Sequence, residues 1–267
     1  MSTAPDHSPF SSPFTGSGPR TGVVVSHGFT GSPHGVRAWA ESLAAAGYAV
    51  RMPLLAGHGT SWQKLARTRW QDWHAGLDAA YLELAADCDH VVVAGLSMGG
   101  ALALRLAATR PVAGAVLVNP GLVIDDPRAP LAGILRFVLK STPAIANDIL
   151  KAGVDEGAYP RTPVAAAHEL NKMFKDTLRL LPKITAPVRV YRSTVDHVVS
   201  DASLAALRRG LTNAPLEVIR LENSYHVATM DNDAPQIFRG TAEFIRSVVE
   251  GQTPGAAGAS QKETADD

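Results

Sequence analysis

Residues 95–99 read Gly95-Leu96-Ser97-Met98-Gly99, and Gly100 follows. A G-x-S-x-G run between a strand and a helix is the pattern of a nucleophile elbow, a sharp and strained turn that lifts a serine hydroxyl above a sheet. The spacing has a steric reason. Side chains two residues before and two after the serine would collide with neighbouring elements, so both positions are glycine. The helix that follows aims its N-terminus at the site, which favours developing negative charge. The flanks fit this reading. Residues 90–94 hold Val91, Val92 and Val93, the mark of a strand buried on both faces, and 100–109 has helical composition. Without those flanks the pentapeptide fits a Gly-rich turn with an incidental serine about as well as an elbow.

A serine is a weak nucleophile at neutral pH. It needs an adjacent base, and the base needs an orienting acid. The chain order expected with such an elbow is Ser, then Asp or Glu, then His. His226, in Asn223-Ser224-Tyr225-His226, follows the last predicted strand and precedes the last predicted helix. The other histidines are worse placed. His7 is in the leading segment, His74 and His168 fall in predicted helices, and His90 opens a strand. His27, His34 and His58 precede the nucleophile, and His197 adjoins the acid. That acid is Asp196, in Ser193-Thr194-Val195-Asp196-His197 at the carboxyl end of a predicted strand. Asp201 competes, but it begins a helix and reads as an N-cap. Asp125 and Asp126 lie in an inserted block. The oxyanion of acyl transfer needs two main-chain N–H donors. One is Met98; the other is Phe29, in His27-Gly28-Phe29-Thr30-Gly31, for which an ordinary β-turn is the alternative.

The elements that must position these groups alternate. Strands are predicted at 21–25, 48–52, 90–94, 112–118, 187–192 and 215–221, and helices at 33–46, 70–86, 100–109, 201–209 and 234–249. Strands alternating with helices imply an α/β fold: a mostly parallel central sheet flanked by helices. Between them, 120–182 holds apolar helical stretches (131–139, 144–150 and 164–180) and no convincing strand. It reads as a helical cap inserted at the carboxyl edge of the sheet, where such folds bind ligands. The core is then 21–119 plus 183–250. Residues 1–20, rich in Ser, Pro and Gly, read as a flexible lead, and 251–267 as a disordered tail.

Composition narrows the function classes. The 267 residues carry 25 Lys plus Arg and 25 Asp plus Glu, a formal net charge of zero. That argues against an electrostatic nucleic-acid binder, which needs a basic face, and against a surface held by polybasic attraction to anionic lipid. Hydrophobic residues make up 46%, enough for a real core. No run approaches the roughly 18 apolar residues of a membrane span, and no signal peptide pattern opens the chain. The one cysteine, Cys88, can close no intrachain disulfide, so a reducing cytoplasm is the expected compartment. There is no HExxH, no Cys/His cluster and no GxGxxG, so no metal and no nucleotide cofactor is indicated. Trp62, Trp70 and Trp73 read as packing rather than a stacking platform. Gly57-His58-Gly59 reads as a structural turn or a pocket lining.

Taken in order, HGFTGSPHGVR, AGHGT, GLSMGG, DHVV and NSYHVATMD resemble the small bacterial monoacylglycerol lipases and carboxylesterases of the α/β-hydrolase superfamily, over nearly all of 21–250. The resemblance implies a helical cap over the site and cofactor-free hydrolysis of an acyl ester to a fatty acid and an alcohol. It implies catalytic Ser97, Asp196 and His226, with oxyanion donors at Phe29 and Met98. In Asp155-Glu156-Gly157-Ala158-Tyr159, Glu156 takes the place of a cap glutamate that contacts the glycerol end of the substrate. Ile145, in Pro143-Ala144-Ile145-Ala146, takes that of a residue lining the acyl channel. Read from the residues alone, Glu156 is either such a contact or a solvated surface charge. The cap departs from the lipase pattern at 131–140 and 147–151. An apolar lid can exclude water and also touch lipid transiently. The same triad would serve a short-chain carboxylesterase, an acyltransferase or a thioesterase. A serine at the elbow argues against haloalkane dehalogenases and epoxide hydrolases, which place an aspartate there. A ligand-binding member with an idle pocket would normally lack one of the three residues.

Overall fold

The valine-rich runs form the centre of a sheet. In the computed structural model, which describes residues 4–125 and 132–251, β2 (Thr21–Ser26), β4 (His90–Leu96) and β5 (Gly114–Val118) lie side by side and parallel. All their residues except His90 are buried. Apolar side chains on both faces of each strand demand cover on both sides, and helices supply it. α1 (Arg37–Ala45) and α8 (Ala234–Val249) cover one face through Trp39, Leu43, Ile237, Phe244 and Ile245. α3 (Trp70–Asp87), α4 (Met98–Thr109) and α7 (Asp201–Gly210) cover the other.

β3 (Ala49–Met52), β8 (Val188–Ser193) and β9 (Leu216–Leu221) extend the sheet, and β1 (Phe10–Ser12) adds one antiparallel edge. The seven strands run in the order β1-β3-β2-β4-β5-β8-β9. This is the expected α/β-hydrolase architecture. The predicted strands and helices are present with ends shifted by a few residues. α4 starts at Met98, earlier than the pattern suggested, because the turn at Ser97 leads directly into it. A four-residue α2 (Trp62–Leu65) precedes α3.

Two readings are corrected. The flexible lead over 1–20 contains β1, whose Phe10, Ser11 and Ser12 pair with Met52, Arg51 and Val50 of β3. Arg37 bridges to Asp6 and donates to the Ser8 carbonyl, and the Gly47 carbonyl accepts the N–H groups of Thr15 and Gly16. The inserted segment also differs from an all-helical cap. β6 (Ser141–Pro143) and β7 (Arg161–Pro163) form an antiparallel pair. Only α5 (Ala132–Leu135) falls within 131–139, and 144–150 is irregular. There Asn147 and Leu150 donate to the side chains of Glu156 and Asp231, while Ala144 and Ile149 donate to the carbonyls of Pro160 and Asn147, so no i to i−4 ladder forms. α6 (Val164–Leu180) is helical as expected, but Ala166, Leu170, Met173 and Phe174 join the core beside α3 and α4. The insertion is therefore rooted in the main body. The tail expected over 251–267 lies outside the described residues beyond Gly251, as do Asp126 and Leu131.

Among the described residues no helix is long and apolar enough to cross a membrane. Deleting residues 1–16 removes β1 and the Asp6 and Ser8 partners of Arg37, so the melting temperature should fall by roughly 5 °C. Calorimetry checks this, and an unchanged melting temperature would mean the segment is a free lead after all.

Candidate active site

The elbow is built by exclusion of side chains. A Cβ on Gly95 would lie 2.2 Å from the Gly99 carbonyl oxygen, and one on Gly99 would lie 2.3 Å from the Ser26 carbonyl oxygen. Both distances are impossible for a real side chain, so glycine is required at each. Ser97 itself takes φ 56° and ψ −118°, a left-handed region costly for a residue with a side chain. Its N–H donates to the Val118 carbonyl at 2.9 Å, and its own carbonyl accepts from Gly100 and Gly121. Strand β5 and the chain after it thus hold the strained turn.

His226 and Asp196 meet beside it. The Nδ1–H of His226 donates to Asp196 Oδ2 at 3.0 Å. In the neutral ring this bond places the proton on Nδ1 and turns the Nε2 lone pair outward, the form a general base needs. The Asp196 side chain is fully buried. Burial alone would push its carboxyl up. The hydrogen bond and charge of His226, with the N–H groups of Val199 and Val198, outweigh that and hold it below the usual aspartate value. Asp196 Oδ1 accepts those two N–H groups at 2.8 and 2.9 Å. Asp201 is not the N-cap: Ser200 holds that position, and Asp201 is the first helical residue, paired with Arg192.

The loop after β2 passes over the elbow. A Cβ on Gly28 would stand 3.5 Å from Ser97 Cβ, so the main chain there abuts the serine. Among the described residues, no acceptor takes the main-chain N–H of Phe29 or of Met98, and both residues line the same cavity as Ser97. His27 holds the loop. Its Nδ1–H donates to the Gly28 carbonyl at 2.9 Å, and its Nε2 accepts the Leu55 N–H at 3.2 Å. Burial lowers its pKa to about 4, so it is neutral when folded. His58, also buried, packs edge-on to His27 with ring centroids 5.0 Å apart. Gly57-His58-Gly59 is thus the structural turn. Trp73 packs against Phe29 and His58; Trp70 is buried and Trp62 is partly buried against the same core.

Ser97, Asp196 and His226 open on a cavity of about 820 Å³. Leu139, Val164, Leu170, Phe174 and Val199 give it an apolar wall. Ile145 and Glu156 both line it. Ile145 is 63% exposed, at the mouth. Glu156 is half-buried and clasps Asn147, accepting its N–H at 2.8 Å while donating its own N–H to Asn147 Oδ1 at 2.9 Å. Desolvation raises the Glu156 carboxyl despite that bond. No cluster able to hold a metal ion occurs among the described residues.

Several positioning residues escaped the sequence reading. Asn119, at φ 43°, donates from Nδ2 to Ser193 Oγ at 2.9 Å and to the His226 carbonyl at 2.8 Å, while Oδ1 accepts the Ser193 N–H at 2.9 Å. It ties the ends of β5 and β8 to the histidine loop. Its only sequence signal was a polar residue closing an apolar strand. Asp148 accepts the His226 N–H at 3.2 Å and the His197 Nδ1–H at 2.7 Å. Asp231 accepts from Leu150, Lys151 and Tyr225. Arg192 donates to Asp196 Oδ2 at 2.6 Å.

Asn119→Ala strands the buried Ser193 N–H and the His226 carbonyl, and should cost about 2–4 kcal/mol in urea unfolding with a lower kcat. An unchanged midpoint would contradict its role. The buried histidines predict acid lability. Above pH 6.5 His27 is neutral in both states. Below it the unfolded chain gains the proton first, so stability falls until the folded form titrates near pH 4. The loss from His27 alone is about 3 kcal/mol. A His27→Gln variant, which cannot titrate, should show the shallower slope across that window.

Comparison with known proteins bears on the family and the fold. The sequence model of the family described as serine aminopeptidase, S33, matches residues 17–233. A thermostable monoacylglycerol lipase of Bacillus sp. (strain H-257) is 37% identical over 237 residues, covering 87% of this chain and 93% of that protein. A carboxylesterase of Bacillus subtilis (strain 168) is 24% identical over 88% of this chain and 96% of its own length. A solved structure reported under LipS and LipT, two metagenome-derived lipolytic enzymes, superposes with a TM-score of 0.85 at 38% identity, covering 92% of this chain and all of that one. Fold, elbow and sequence similarity together establish that the chain belongs to the serine aminopeptidase S33 family and is a serine hydrolase of the α/β-hydrolase fold.

Proposed function

We propose that this serine hydrolase cleaves monoacylglycerols to a fatty acid and glycerol, with Ser97 as nucleophile, His226 as base and Asp196 as its orienting acid. The observation that carries the reading is the shared cavity. A serine on a strained elbow and a histidine in the correct tautomer open on one apolar chamber of about 820 Å³. The chamber suits an acyl chain, and its size lies within the usual range of small-molecule sites.

The chemistry follows from the geometry. His226 Nε2 takes the Ser97 proton as Ser97 Oγ attacks the ester carbonyl. Asp196 stabilises the imidazolium that forms. The N–H groups of Phe29 and Met98, free of acceptors among the described residues, receive the tetrahedral oxyanion. His226 then protonates the departing alcohol, and water repeats the cycle on the acyl-enzyme. No step needs a cofactor.

Glu156 supplies a carboxylate near the mouth for the glycerol hydroxyls, and Ile145 an apolar contact for the chain. The segments 132–163, with Ile145, act as the cap, whose exposed Ile134, Phe137 and Val138 support transient contact with lipid. The relatives' printed names, a monoacylglycerol lipase and a carboxylesterase, support an ester substrate. The free Cys88 is consistent with a reducing, cytoplasmic setting.

A turnover panel of monoacylglycerols and p-nitrophenyl esters across chain lengths tests the reading. Medium or long monoacylglycerols should be preferred, and Ser97→Ala should lower kcat by about 10³-fold or more. Glu156→Ala should raise KM for monoacylglycerols about tenfold more than for p-nitrophenyl esters, a loss of roughly 1.4 kcal/mol. Activity confined to short esters would replace this reading with a general carboxylesterase.

A further inference from the structure

Asp196 carries a partner that the mechanism above does not use. Arg192 lies near the carboxyl end of β8 with its side chain 5% exposed. Its Nη1 donates at 2.6 Å to Asp196 Oδ2, the same oxygen that accepts His226 Nδ1–H at 3.0 Å. Its Nη2 donates to the Val199 carbonyl at 2.6 Å, and its Nε to Asp201 Oδ1 at 3.2 Å. The guanidinium is held on three sides.

Two consequences follow. Oδ1 is engaged by the N–H groups of Val198 and Val199, and Oδ2 by Arg192 and His226, so the carboxylate cannot turn without breaking a bond. The second consequence is electrostatic. Arg keeps its proton at any working pH. A permanent positive charge therefore sits across one oxygen atom from the imidazole, where like charges interact strongly. It opposes the protonation that Asp196 favours. The other charged groups facing the pair are few. Asp201 comes from α7 and is mostly exposed, Asp148 and His197 meet the His226 loop, and Glu156 stands across the cavity.

We infer that Arg192 is a positioning residue for the acid–base pair: by sharing Oδ2 of Asp196 with His226 it fixes the carboxylate and offsets its charge, so that His226 remains a free base to lower pH than Asp196 alone would permit. The inference rests on the Ser97–His226–Asp196 reading.

The test is the pH profile of kcat/KM on a soluble p-nitrophenyl ester, with the full chain and its variants. His226→Ala must abolish turnover; retained activity would sink the triad reading itself, whatever Arg192 does. With that control satisfied, Arg192→Gln should move the acidic limb up by about one pH unit, and Arg192→Lys, which keeps the charge, should return it towards the parent position. A merely structural role would lower stability and kcat with the limb unmoved. An unmoved limb in Arg192→Gln, or an equal shift in Arg192→Lys, overturns the inference. If Arg192→Gln does not fold, Asp201→Asn carries the test. Removing that exposed counter-charge leaves the guanidinium less compensated, so the limb should move down by roughly a few tenths of a unit after solvent screening. An unmoved or upward limb there overturns the inference as well.

Discussion

The space between the end of β4 and the start of α4 admits one side chain, and it belongs to Ser97. Gly95 and Gly99 approach so closely that a Cβ on the first would overlap the carbonyl of the second. Gly99 in turn presses on the Ser26 and His27 carbonyls at the end of β2. The left-handed Ser97 costs on the order of 1–3 kcal/mol, and it persists because buried neighbours leave the chain no other path. α4 is buried along nearly its whole length, so it cannot tilt to relieve the turn. This one contact sets the height of the Ser97 side chain above the sheet. It also sets the register of the following loop, because Gly28 and Phe29 leave β2 where Gly99 touches it.

The loops around the serine face the opposite problem. They are irregular and partly buried, so their N–H groups need acceptors that no regular element supplies. Carboxylates and one amide provide them. Asp196 closes its own turn through Val198 and Val199, Asp231 gathers Leu150, Lys151 and Tyr225, and Asn119 binds the histidine loop to β8. Such charge-assisted bonds are stronger than neutral ones, and they are directional. They hold Asp196 and His226 at the end of a sheet that by itself would leave both on free loops.

That division explains what was legible in the sequence. Gly95, Ser97 and Gly99 could be read because steric exclusion leaves a pattern of residue types at fixed spacing. Val91 to Val93 and the α8 face could be read because burial leaves a periodicity. Asp196 and His226 followed from their place after strands, since the carboxyl edge collects chemistry. The insertion was harder. At 144–150 an apolar pattern suggests a helix, yet Asn147, Leu150 and Ala144 donate to Glu156, Asp231 and the Pro160 carbonyl, all outside the segment. A tertiary acceptor overrides a local propensity and leaves no local trace. The same holds for β6 and β7, paired across the insertion, and for the N-terminal segment, whose Ser/Pro/Gly composition hides Phe10 and Arg37's partners. Arg192 looked like an ordinary strand residue until the fold folded Asp196 back onto it.

The insertion and the His226 loop are mechanically joined. Asp148 belongs to the segment beside Ile145 that lines the cavity, yet its carboxylate receives the N–H of His226 and its carbonyl that of Val227. Asp231, after the histidine, grips Leu150 and Lys151 in return. The wall that meets the substrate is therefore part of the frame that orients the imidazole. A substitution within 147–151 cannot be read as a change of the cavity wall alone, because any displacement of that segment pulls on the main chain of His226. Separating the two requires KM and kcat to be followed together, since a pure wall effect moves the first and a tilted imidazole moves the second.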